Sequence, residues 1–136
     1  MVRIGIDLGN VLIGGDTEWF SADFMHAPIV EGGYKSVVRL YNIGHNLFIV
    51  SKAYPRNQIK SNDWLYANGF NMWISDRNKF FVLHREDKTV VCDNLQLDLM
   101  IDDRSDVIDH INANSKGTKG YLFTTWEQFW NDYPTL

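Results

Sequence analysis

With 136 residues, 45% of them hydrophobic, the chain is long enough for one compact domain with a single core between layers, and residues 1–136 are read as that one domain. Charged residues make up 22% and the formal net charge is -4, a balance that speaks against a general nucleic-acid or membrane surface. The lone Cys92, expected in the core, excludes an intramolecular disulfide and a cysteine metal cluster, and no apolar run approaches membrane-spanning length, so a soluble, cytoplasmic protein is expected.

In chain order, Val2, Ile4 and Ile6 are β-branched residues of a first strand that stops at Asp7. Gly9 and Asn10 tolerate positive φ and let the backbone curl beside the Asp7 carboxylate, a place that suits a metal ion or a phosphate. A turn that uses Asp and Asn for local hydrogen bonds explains the same stretch equally well. Gly14-Gly15-Asp16-Thr17 is turn chemistry, and Glu18-Trp19-Phe20 opens a flap or short helix before Pro28. A helix is predicted over Glu31–Gly44, then a buried strand over Leu47–Val50 that ends at Ser51. Pro55 suits the first turn of the next helix, which Asn68-Gly69 ends.

Phe70–Ile74 is expected to be extended, Phe80–Leu83 a strand, and Thr89–Leu95 a helix. Leu97–Ile101 is the next strand, finishing on Asp102-Asp103, after which Ser105 is placed to cap a helix carrying Val107, Ile108 and Ile111. Gly120–Phe123 is the last strand, and Thr125 caps a terminal helix through Trp130. Strands and helices that alternate in this way predict an α/β, Rossmann-like three-layer sandwich with a mostly parallel central sheet. Asp7, Ser51 and Asp102/Asp103 then share the sheet edge where such folds bind ligands. Charge is unevenly spread along the chain: Lys52, Arg56 and Lys60 stand in a segment without acids, whereas Asp93–Asp109 holds six Asp against Arg104 alone. Adjacent carboxylates at 102 and 103 repel each other unless a cation or donors lie nearby, which points to a metal site.

The four stretches in their order resemble the motifs of the haloacid dehalogenase superfamily, whose members are mostly phosphatases. Asp7-Leu8-Gly9-Asn10 is similar to the first motif, Ile49-Val50-Ser51 to the second, Lys88 to the third, and Ile101-Asp102-Asp103 to the acidic fourth. No long insertion interrupts them, as in a member with minimal or no cap. The resemblance implies a Mg²⁺-dependent phosphatase in which Asp7 forms an aspartyl-phosphate. Asp7, the Gly9 carbonyl, Asp102 and Asp103 or Asp106 would hold Mg²⁺, while Lys88, Ser51, Lys52, Gly9 and Asn10 would surround a small phosphorylated substrate.

The family usually places a general acid/base Asp two positions after the nucleophile, and here that place is Gly9. Asp16 is a substitute proton carrier on this reading, or simply a turn residue. The alternative function is a degenerate domain that binds Mg²⁺, phosphate or a partner without turnover. A third reading, a nucleotide or nucleic-acid-end phosphatase, draws on Lys52, Arg56 and Lys60 and is not favoured by the acidic balance. The four histidines have no metal-ligand spacing, Arg104 is expected to pair with a neighbouring Asp, and Trp19 and Phe20 are core residues or a substrate platform.

Overall fold

The computed structural model describes residues 1–15 and 22–136. Five strands, β1 (Arg3–Ile6), β2 (Asn46–Lys52), β3 (Lys79–Val82), β4 (Leu99–Asp102) and β5 (Lys119–Leu122), form one parallel sheet in the order β3-β2-β1-β4-β5. The helices are α1 (Gly33–Ile43), α2 (Pro55–Ala67), α3 (Asp87–Asn94), α4 (Ser105–Asn114) and α5 (Trp126–Asp132). This is the α/β three-layer arrangement expected from the sequence. Only residues 7–32 and 83–86 connect β1 to α1 and β3 to α3, too little chain for a separate cap domain.

Each layer follows from side-chain periodicity. Strand residues alternate between faces, so Ile4, Ile6, Ile49 and Ile101 pack with Val37, Leu40, Trp64, Trp126 and Phe129 on one side. Val50 and Met100 pack with Cys92, Val107 and Ile111 on the other. Cys92 is fully buried, as expected. The central strand carries Gly5 between those layers because Met100 and Leu97 already fill the space a side chain would need. Helix α1 stops at Gly44, whose φ of 110° lets the chain turn back toward β2. No helix among the described residues is long and apolar enough to cross a membrane.

Two local expectations are corrected. Phe70–Ile74 is not extended: Phe70–Met72 is a 3₁₀ turn, entered through Gly69 at φ 80°. There Phe70 is fully buried, stacked on Trp64 and edge-on to Tyr34, and that core contact explains the apolar run that reads as a strand. Ser105 does not cap α4: it is the first residue inside the helix, Arg104 holds the N-cap position without a side-chain cap bond, and Asp106 accepts from the Val107 amide. Thr125 does cap α5, its hydroxyl accepting from the Gln128 amide at 3.0 Å. The segment Glu18-Trp19-Phe20 and Asp16 lie outside the described residues.

Candidate active site

Asp7 stands one residue past β1, its amide donating to the Ile101 carbonyl at 3.0 Å and so extending the pairing of β1 with β4. The next residues fold into a tight turn in which the Leu8 carbonyl accepts from the amides of Val11, Leu12 and Ile13. Leu8, Val11 and Leu12 are fully buried and anchor the turn to the core. The left-handed residue is Asn10, at φ 64°, and the positive-φ glycines of the described chain do not include Gly9. The Asn10 side-chain Nδ2 donates to Asp103 Oδ2 at 3.1 Å, fastening this turn to the end of β4.

Strand alternation places Asp102 on the same face as Met100, the face that α3 covers, and the first turn of α3 carries Lys88. Its Nζ donates to Asp102 Oδ2 at 2.6 Å and to Asp7 Oδ1 at 3.2 Å, although Lys88 itself is only 2% exposed. A lysine is this deeply buried only when paired, and here two carboxylates hold it. Burial disfavours the charge on Lys88, yet Asp7 and Asp102 outweigh it and raise its pKa above the usual lysine value. For Asp7 burial wins: its carboxyl is pushed up to about 7, with Lys88 pulling it down and Asp102 adding repulsion.

A cleft of about 180 Å³ opens above these groups, lined by Asp7, Gly9, Asn10, Ser51, Lys52, Arg85, Lys88, Asp103 and Arg104. Ser51 is buried near the end of β2, and Lys52 at its last position sets its ammonium 4.7 Å from the Tyr54 ring centre. Carboxylate oxygens of Asp7, Asp102 and Asp103 lie within 4.8 Å of one another. Opposite ligands of an octahedral Mg²⁺ are roughly 4.2 Å apart, and the ion prefers hard oxygen donors, so these residues fit it with little contraction. Asp106 instead faces Arg104, accepting at 3.0 and 3.1 Å, which gives Arg104 the Asp partner expected of it.

The structure therefore gathers Asp7, Gly9, Asn10, Ser51, Lys52, Lys88 and Asp103 around one cleft, with Asp102 fully buried beneath. Arg85 also lines it and was not readable from the sequence, where it sits in a charged run that looks like a solvated turn. A larger hollow of about 530 Å³ lies elsewhere, between α1 and α5, and shares no residue with this cleft.

No family model matches the chain. A curated protein of Oceanobacillus iheyensis, provisionally named a nucleotidase, is 26% identical over 92 residues, covering 68% of this chain and 48% of that protein. The chain thus spans about half the length of the curated relative it matches. Among solved structures, a hydrolase from Streptococcus pneumoniae superposes with a TM-score of 0.70 at 13% identity, covering 97% of both chains. A D,D-heptose 1,7-bisphosphate phosphatase from Burkholderia thailandensis gives 0.63 at 10% identity over 100% of both chains. The B. bronchiseptica phosphatase of the same name, complexed with magnesium and phosphate, gives 0.65 at 12% identity, over 97% of this chain and 99% of that one. At these identities the likeness is one of fold.

Proposed function

We propose, from the haloacid dehalogenase-like fold that the chain adopts, that it is a Mg²⁺-dependent phosphatase hydrolysing a phosphomonoester, with residues 1–136 as its single catalytic domain. The observation that carries this reading is the buried Lys88 ammonium held between Asp7 and Asp102, at the carboxyl ends of adjacent strands and beside Ser51. Such a cluster is costly to bury, and it lies where open α/β sheets bind ligands. The phosphatase names of two solved neighbours and the nucleotidase name of the curated relative support the same class, with nucleotides among the substrates worth testing.

On this reading an Asp7 carboxylate oxygen attacks phosphorus, the bond from phosphorus to the ester oxygen breaks, and that oxygen leaves with a proton from solvent. Water then attacks the aspartyl-phosphate, freeing phosphate and restoring Asp7. Lys88 and Ser51 bind non-bridging oxygens, and Lys88 also pulls the Asp7 pKa down, favouring the reactive anion and offsetting part of the effect of burial. Bound by Asp7, Asp102, Asp103 and the Gly9 carbonyl, Mg²⁺ would supply the charge that offsets repulsion between Asp7 and the phosphoryl group.

The second reading, a binding domain without turnover, is favoured by Gly9, which leaves the usual acid/base position without a side chain. Both are tested by phosphate release from alkyl esters, nucleotides, acyl phosphates and phosphorylated oligonucleotides, in Mg²⁺ and in EDTA. The phosphatase reading expects Mg²⁺-dependent release that Asp7→Asn abolishes. Unchanged turnover in that variant would remove Asp7 as nucleophile, and Mg²⁺ binding with no release from any substrate would favour the binding domain.

A further inference from the structure

Around the candidate active site, the cations fall into two groups. Lys88 is committed to Asp7 and Asp102 on the cleft floor, and Arg104 is held by Asp106. Lys52 and Arg85 also line the cleft, yet neither forms an ion pair with a carboxylate among the described residues. Both stand on its β2/β3 side: Lys52 is paired in register with Val82, and Arg85 follows Val82 by three residues.

Their placement is at the rim. Lys52 is half-buried and rests its ammonium over the ring of Tyr54, itself half exposed at the start of α2. Arg85 is exposed and also lines the adjoining hollow with Glu86, Asp106, Val107 and His110, so it forms the outer wall of the cleft. The transferred phosphoryl group is served from the floor by Ser51 and Lys88. A cation that lacks an acid partner at a cleft mouth is available to a ligand anion, and guanidinium groups pair well with carboxylate or phosphate.

We propose that Lys52 and Arg85 form a subsite for a second anionic group, carried on the leaving portion of the substrate. This rests on the phosphatase reading of the cleft and narrows its substrate class to phosphate esters that bear a further phosphate or carboxylate. The Lys52 ammonium lies 4.7 Å from the centre of the Tyr54 ring, an aromatic rather than an acidic neighbour.

The test is calorimetric binding to the Asp7→Asn protein in Mg²⁺, where turnover does not interfere. The ligands are ethyl phosphate, phosphoglycolate, which replaces the methyl group by carboxylate, and ethylene glycol bisphosphate. At least one of the two ligands that carry a second anionic group should bind about tenfold or more tightly than ethyl phosphate, as expected for one charge-assisted contact. Arg85→Ala and Lys52→Ala should each erase most of that preference, whereas Arg56→Ala, a cation outside the cleft, should retain it. Equal affinity for all three ligands overturns the subsite. A preference that survives both cleft substitutions, or that Arg56→Ala removes, overturns the assignment to Lys52 and Arg85. If none of the three ligands binds at all, the phosphatase reading itself fails, which is a different result from binding without preference. Melting curves of each variant establish that it is folded.

Discussion

At the scale of single residues, the chemistry turns on how Asp7 is charged. Burial lifts its folded-state pKa from an ordinary 3.8 to about 7, so the folded protein keeps a proton that the unfolded chain has released. In metal-free buffer stability should therefore fall as pH rises between those values and level off above them. Asp7→Asn lacks the titrating group and should lose that slope, which chemical denaturation at a series of pH values would measure. Equal slopes in parent and variant would contradict the burial argument. Gly9 gives a second residue-scale prediction. Because Asn10 supplies the left-handed turn, Asp at position 9 incurs no penalty for positive φ. Gly9→Asp should speed hydrolysis of alkyl esters more than acyl phosphates, since only an alkoxide needs a proton as it leaves, and general acid help is typically worth about two to four orders of magnitude. Comparing kcat for the two substrate classes decides it, and an equal change in both would sink the idea.

At the scale of elements, β1 is the strand on which the site depends, and Gly5 is its tightest point. A methyl group there would lie 2.6 Å from Met100 Sδ and 2.7 Å from Leu97 Cδ1, both in the buried core. Overpacking of this kind costs about 1 to 3 kcal/mol, offset by roughly 0.5 to 1 kcal/mol for removing a strand glycine. Gly5→Ala should thus lower stability by up to about 2.5 kcal/mol, read from the denaturation midpoint, and a stabilised variant would mean that the core has slack. The strand ends were legible in the sequence because a buried parallel strand is an apolar run, and Asp7, Ser51 and Asp102 are where those runs stop. Phe70–Ile74 misled for the same reason: its apolar residues plug the core from a turn, and periodicity cannot separate the two over so short a span. The cap of α4 was misplaced because the helix begins one residue earlier, with Ser105 inside its first turn and Arg104 at the cap position. Arg85 was invisible since its position depends on the register of β3 against β2, a long-range property.

For the whole molecule, five parallel strands bring residues from three distant stretches, around positions 7, 51 and 102, to one edge, and α3 drives Lys88 between two of them. Although the chain carries a net charge of -4, Lys52, Arg85, Lys88 and Arg104 all line the cleft. The proposed function assigns Asp7 the role of nucleophile toward phosphorus. The most direct measurement is intact-protein mass spectrometry after rapid acid quench of the protein with acetyl phosphate and Mg²⁺, followed by peptide mapping. A phosphoryl adduct is expected on the peptide that contains Asp7, absent in EDTA and in Asp7→Asn. An adduct on another residue, or phosphate released by Asp7→Asn as fast as by the parent, would contradict it.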